Sequence, residues 1–173
     1  MCGIDELKPP IANPFEDVEE GDYYYDPVIW AYENNVTKGT SATTFGPDTT
    51  CTRGQLVTFL WRAAGNPQPT RTDNPFTDVR ADSYYHTAVL WAVEQGITAG
   101  TSATTFSPDA TCSSAHIATF LYRACGGTGS GWYEEARDWA VDASLLDDTG
   151  MSVSPDGPCP RAAVVTFLYR IYR

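Results

Sequence analysis

Three stretches decide the fold: Cys51-Thr-Arg-Gly-Gln-Leu-Val-Thr-Phe-Leu-Trp-Arg62, Cys112-Ser-Ser-Ala-His-Ile-Ala-Thr-Phe-Leu-Tyr-Arg123 and Cys159-Pro-Arg-Ala-Ala-Val-Val-Thr-Phe-Leu-Tyr-Arg170. In the first, Leu56, Phe59, Leu60 and Ala63 fall at i, i+3, i+4 and i+7, one face of a helix. Ile117, Phe120, Leu121 and Ala124 repeat the stripe, as do Val164, Phe167, Leu168 and Ile171. Thr52-Arg-Gly-Gln55 fits a capping box, Ser113 can cap the second helix, and Pro160 suits the first turn of the third. Three equivalent helices with one apolar face each predict a mainly α protein with a central three-helix bundle and a pseudo-threefold axis.

Outward from these helices, the chain is duplicated. Phe15 and Phe76, Trp30 and Trp91, Phe45 and Phe106, and Cys51 and Cys112 are all 61 residues apart. The loop Gly39-Thr-Ser-Ala-Thr-Thr-Phe45 recurs unchanged as Gly100-Thr-Ser-Ala-Thr-Thr-Phe106. Identity of that length within one chain signals tandem repeats that share a core. A third, shortened copy places Trp139 opposite Trp91 and Val153-Ser-Pro-Asp156 opposite Phe106-Ser-Pro-Asp109. It lacks the Phe-x-Asp-Val segment, and its first helix is expected to begin at Trp132. Residues 1–13 read as a leader or linker, 14–74 as repeat 1, 75–131 as repeat 2 and 132–173 as a degenerate repeat 3.

Composition narrows the function. Apolar residues make up 42% of 173, enough for a core, and the net charge is −11 with Lys8 and Lys38 as the two lysines. Such a surface argues against nucleic acid and against an anionic membrane, both of which need clustered positive charge. No apolar run is long enough to span a bilayer, and residues 1–8 do not read as a signal peptide. His86 and His116 show no metal spacing, no Ser-His-Asp or Cys-His arrangement is supported, and no motif pairs carboxylates for hydrolysis. No cofactor is expected.

The combined pattern resembles the S-layer homology (SLH) family over roughly residues 14–173. The parallels are Phe76-Thr-Asp-Val79, the aromatic helix with Trp91, Gly96-Ile-Thr-Ala-Gly100, Phe106-Ser-Pro108 and Cys51-Thr-Arg-Gly-Gln55. The resemblance implies a three-pronged spindle around a three-helix bundle. It implies a non-catalytic module that holds an exported protein on the bacterial surface. The implied partner is a secondary cell-wall polysaccharide, often pyruvylated and therefore acidic, bound in grooves between repeats. A second reading is an SLH-like scaffold, secreted or displayed, that contacts a host or surface protein.

Under the family's mode, Arg53 and Arg161 are the principal ligand contacts, and repeat 2 carries Ser114 at that place. A guanidinium in the first turn of a helix, beside backbone N–H groups without helical partners, suits a carboxylate. Two competent grooves and one weakened groove are expected, with removal of both arginines leaving thermal unfolding nearly unchanged. The alternative is that both arginines are solvated or paired with Asp48 and Asp156. Further candidates are Gly39 and Gly100 in the repeated loop, Asp17 and Asp78 as sugar ligands or Asx-type turn caps, and the cluster Tyr23, Tyr24 and Tyr25 and the pair Tyr84 and Tyr85 as a groove wall. Trp30, Trp91 and Trp139 read as core. Cys51, Cys112 and Cys159 stand where the family has an aliphatic residue. Three readings stay open for them: small buried hydrophobes, a disulfide between two, or a metal site that lacks a fourth ligand.

Overall fold

The computed structural model describes residues 11–128, 133–149 and 155–173. Most of the leader, Trp132 and Val153 lie outside the described residues. Within them the protein is mainly helical, with six helices: α1 (Tyr25–Glu33), α2 (Arg53–Ala63), α3 (His86–Glu94), α4 (Ser114–Ala124), α5 (Glu134–Asp142) and α6 (Arg161–Tyr172). The three quoted stretches are α2, α4 and α6. Their stripes are the core: Leu56, Leu60, Ile117, Leu121, Val164 and Leu168 are fully buried.

The helices start where their caps dictate. Thr52 Oγ1 accepts from the Gln55 amide while Gln55 Oε1 accepts from the Thr52 amide. At α4 the imidazole of His116 replaces the glutamine, and its Nδ1 accepts from the Ser113 amide at 3.1 Å. Pro160 is the cap itself, so α6 opens on Arg161. α1 and α3 end in a left-handed turn at Asn35 (φ 57°) and Gly96 (φ 70°), and Ser144 (φ 53°) takes that place after α5.

The repeats interlock through their neighbours. α3 of repeat 2 packs on α2, α5 on α4, and α1 on α6, while α2 touches both α4 and α6. Three isolated bridges pair Thr52 with Thr111, Ser113 with Pro158 and Thr50 with Pro160. Between them run backbone hydrogen bonds from Cys112 to Cys51 (2.8 Å) and from Cys51 to Cys159 (2.9 Å). Thus the turn before each bundle helix is stitched to the turn of another repeat, and the last repeat is stitched to the first.

Candidate functional site

Arg53 and Arg161 occupy equivalent and unusual positions. They are 4% and 2% exposed. Nε of Arg53 donates to the Phe106 carbonyl at 2.9 Å, and Nε of Arg161 donates to the Phe45 carbonyl at 3.0 Å. Each guanidinium lies against two phenylalanine rings. Arg53 is 4.8 Å from the Phe106 centroid and 5.4 Å from Phe120; Arg161 is 5.0 Å from Phe45 and 5.1 Å from Phe59. Neither is solvated, and neither forms an ion pair among the described residues. The expectation that both could be removed without affecting unfolding is therefore corrected, because each bonds and stacks inside the core.

The helix N-termini differ from expectation as well. The amides of Arg53 and Gly54 donate to the carbonyls of Ala110 and Pro108, and those of Arg161 and Ala162 to Thr49 and Pro47, all at 2.9–3.0 Å. Carbonyls of the neighbouring repeat already satisfy these N–H groups. Attraction for an anion thus rests on the side chain rather than on free backbone donors.

Asp17 and Asp78 hold the turn that receives each arginine. Asp17 accepts from the amides of Phe45 (2.8 Å) and Gly46 (2.7 Å), and Asp78 from those of Phe106 (2.9 Å) and Ser107 (2.7 Å). One peptide unit therefore has its N–H on an aspartate and its C=O on an arginine. The capped turn lies 28 residues downstream, rather than immediately after the aspartate. Burial pulls the Arg53 and Arg161 pKa values down, and the charges of Asp78 and Asp17 pull the other way.

Each arginine borders a groove of about 280 Å³, the Arg53 groove lined by repeats 1 and 2 and the Arg161 groove by residues of all three repeats. The Arg53 groove is lined by Gly100, Thr101, His116, Thr119, Phe120 and Arg123. The Arg161 groove is lined by Gly39, Gln55, Phe59 and Arg62, equivalent to residues of the first, and also by Lys38 and Tyr84. In both, Nη2 of the buried arginine has no hydrogen-bond partner. Arg62 and Arg123 are held at the rims by bonds from Nη1 to the carbonyls of Val36 and Ile97.

Gly39 and Gly100 line these grooves, but their backbone has its own requirement. They sit at φ 82° and 88°, and a Cβ at either would come within 2.5 Å of a phenylalanine ring, Phe15 or Phe76. Tyr85 is half-buried against the core, with Gly54 beneath it, so that a Cβ on Gly54 would meet its ring at 3.0 Å. Its neighbour Tyr84, 59% exposed, is the one that walls the Arg161 groove. Tyr25 borders a separate cleft of about 180 Å³ with Glu20, Asp22, Asp26 and Arg170.

Among the described residues, Ser114, Phe167 and the buried Tyr133 border a small cavity of about 10 Å³ at the remaining junction. Tyr133 packs with Ala115, Ala118 and Ala136. Cys51, Cys112 and Cys159 are buried free thiols. Burial pushes all three thiols up, Cys112 to about 12, so they stay protonated. Sequence reasoning passed over Lys38, Gln55, Phe59, Arg62, His116, Phe120 and Arg123 as groove residues. The arginine closing each quoted stretch was a repeated signal that pointed there.

Comparison with known proteins agrees with this architecture. The S-layer homology domain matches residues 14–57 and 75–116. The chain is 33% identical over 113 residues to an endoglucanase of Bacillus sp. (strain KSM-635), covering 65% of this chain and 12% of the relative. It is 27% identical over 125 residues to a cell surface protein of Thermoanaerobacter kivui (70% and 16%). It is 32% identical over 103 residues to the surface-layer 125 kDa protein of Lysinibacillus sphaericus (60% and 9%). The chain thus spans about a tenth to a sixth of the length of these relatives. The shared segment is a cell-wall anchoring module and not a catalytic one. Matched in both of its complete repeats, the chain belongs to the S-layer homology family.

Proposed function

We propose that this chain is a non-catalytic anchor acting at the bacterial cell surface, and that it binds an acidic, pyruvylated-type secondary cell-wall polysaccharide in its Arg53 and Arg161 grooves. One observation carries this reading: two equivalent buried guanidiniums, each with Nη2 unpartnered beside a groove. An unsatisfied buried donor costs about 1–3 kcal/mol, more when charged. A ligand carboxylate accepting from it removes that penalty with a short charge-assisted bond. The phenylalanine stack and the Phe carbonyl hold the guanidinium in place beforehand, so little ordering accompanies binding. Among the described residues, the third junction has Ser114 where the other two have a buried arginine. The shortened segment 132–173 then serves as a third repeat that completes the Arg161 groove.

The test is co-sedimentation with purified cell walls that carry or lack the polysaccharide. The chain should pellet with intact walls and stay in solution with stripped ones. An Arg53→Lys/Arg161→Lys variant keeps the charge but loses the planar fork, and should remain helical by circular dichroism while losing most wall binding. Equal pelleting with stripped walls, or full binding by the folded variant, would overturn the proposal.

A further inference from the structure

The two open grooves are equivalent by repeat but not by charge. The Arg161 groove presents Arg161 at its base and Lys38 and Arg62 along its lining, with no carboxylate among the lining residues. At the place of Lys38 the Arg53 groove has Ala99, which is absent from its lining. Its cations are Arg53 and Arg123, beside a His116 whose pKa burial and Arg53 hold below the ordinary value. Lys38 is exposed and makes no ion pair among the described residues. Placing one of two lysines in the chain at a groove rim concentrates positive charge where a chain of net charge −11 otherwise repels anions. The cleft beside Arg170 shows the contrast, with Glu20, Asp22 and Asp26 around a single arginine.

We infer that the Arg161 groove is the tighter site and selects a saccharide carrying two anionic groups, one carboxylate on Arg161 and a second anionic substituent on Lys38 at the rim. This rests on the anchoring proposal, since it assumes that a saccharide carboxylate meets Arg161. Base and rim then read different parts of one ligand. The buried guanidinium supplies directional bonding, and the flexible ammonium supplies a point charge that tolerates either a carboxylate or a phosphate. Tyr84 on the wall offers a face for the sugar ring between them.

Isothermal titration of the full chain with two synthetic probes tests the inference. One probe is a methyl hexoside bearing a single pyruvate ketal, and the other is the same sugar with an added phosphate monoester. The wild type should bind the doubly substituted probe more tightly. Lys38→Gln should weaken that probe about three- to fivefold, as an exposed ion pair allows, and the singly charged probe less than twofold. Lys38→Arg should restore most of the difference. Arg53→Lys should remove the weaker binding step and leave the tighter one. Equal loss for both probes in Lys38→Gln, or no loss for either, overturns the Lys38 assignment while the anchoring proposal stands. Failure of the wild type to bind either probe overturns both.

Discussion

Replacing Asp17 by alanine separates a structural from a ligand-contacting role. The carboxylate accepts two backbone N–H groups, at 2.8 and 2.7 Å, from a turn whose Phe45 is fully buried. Hydrogen bonds to a charged group contribute about 1.5–3 kcal/mol each, so losing both removes about 3–6 kcal/mol. Loosening of the Phe45 carbonyl, which receives Nε of Arg161, adds to that loss. Against a total stability of about 5–15 kcal/mol, the variant sits near the edge of folding. With a guanidinium-chloride m-value of about 4 kcal/mol/M, the unfolding midpoint should drop by about 1 M. The assay is equilibrium unfolding followed by circular dichroism, with wall binding measured on the fraction still folded. Asp78→Ala should behave alike, through Phe106 and Ser107. An unchanged midpoint accompanied by lost wall binding would refute this reasoning and make Asp17 a direct sugar ligand.

Other outcomes follow from the same geometry. His116 accepts the Ser113 amide through Nδ1, and burial, followed by the charge of Arg53, lowers its pKa in the folded state. The unfolded chain then binds the proton more readily, so stability falls as pH drops from about 6.5 through the lowered folded value. His116→Gln, which copies Gln55, should flatten that part of a pH–Tm profile. Ser114→Arg should add no third binding step in calorimetry, because Tyr133 and Phe167 fill the space, and overpacking should lower stability by about 1–3 kcal/mol. A thiol reagent should modify exposed Cys125 quickly in the native protein and leave Cys51, Cys112 and Cys159 untouched over the same time. Unfolding without reductant should release all five cysteines.

Much of the fold was legible because the relevant signals are local. The stripe through Leu56, Phe59 and Leu60 specifies a helix and its buried face, and the identical loops at 39–45 and 100–106 specify the repeat. Which repeat completes which site was not legible, since periodicity is silent on tertiary partners. Arg53 is received by the Phe106 turn and Arg161 by the Phe45 turn, separations of 53 and 116 residues. Burial of the two arginines was also hidden, because arginine is exposed by default and only the paired phenylalanines make room for it. The apolar stripe marks Phe59 and Phe120 as core, yet they also stack on guanidiniums. The tyrosine pair is legible as a groove wall, but which of the two serves is not. Tyr84 reaches the groove while Tyr85 turns inward over Gly54, a choice fixed by the backbone and not by residue type.

The stitching of the last repeat onto the first has a consequence for when the anchor becomes competent. Arg161 belongs to the final helix, but most of the groove it completes is built from residues 37–62. A nascent chain lacking α6 would present that wall without its guanidinium, and a chain clipped between α5 and α6 would hold the two halves by non-covalent packing alone. Under the proposed binding mode, engagement of this groove would require α6 to be packed against residues 37–62. The Arg53 groove, lined by Arg53 and residues 100–123, would form without the last repeat, so the two sites would mature at different points of the chain.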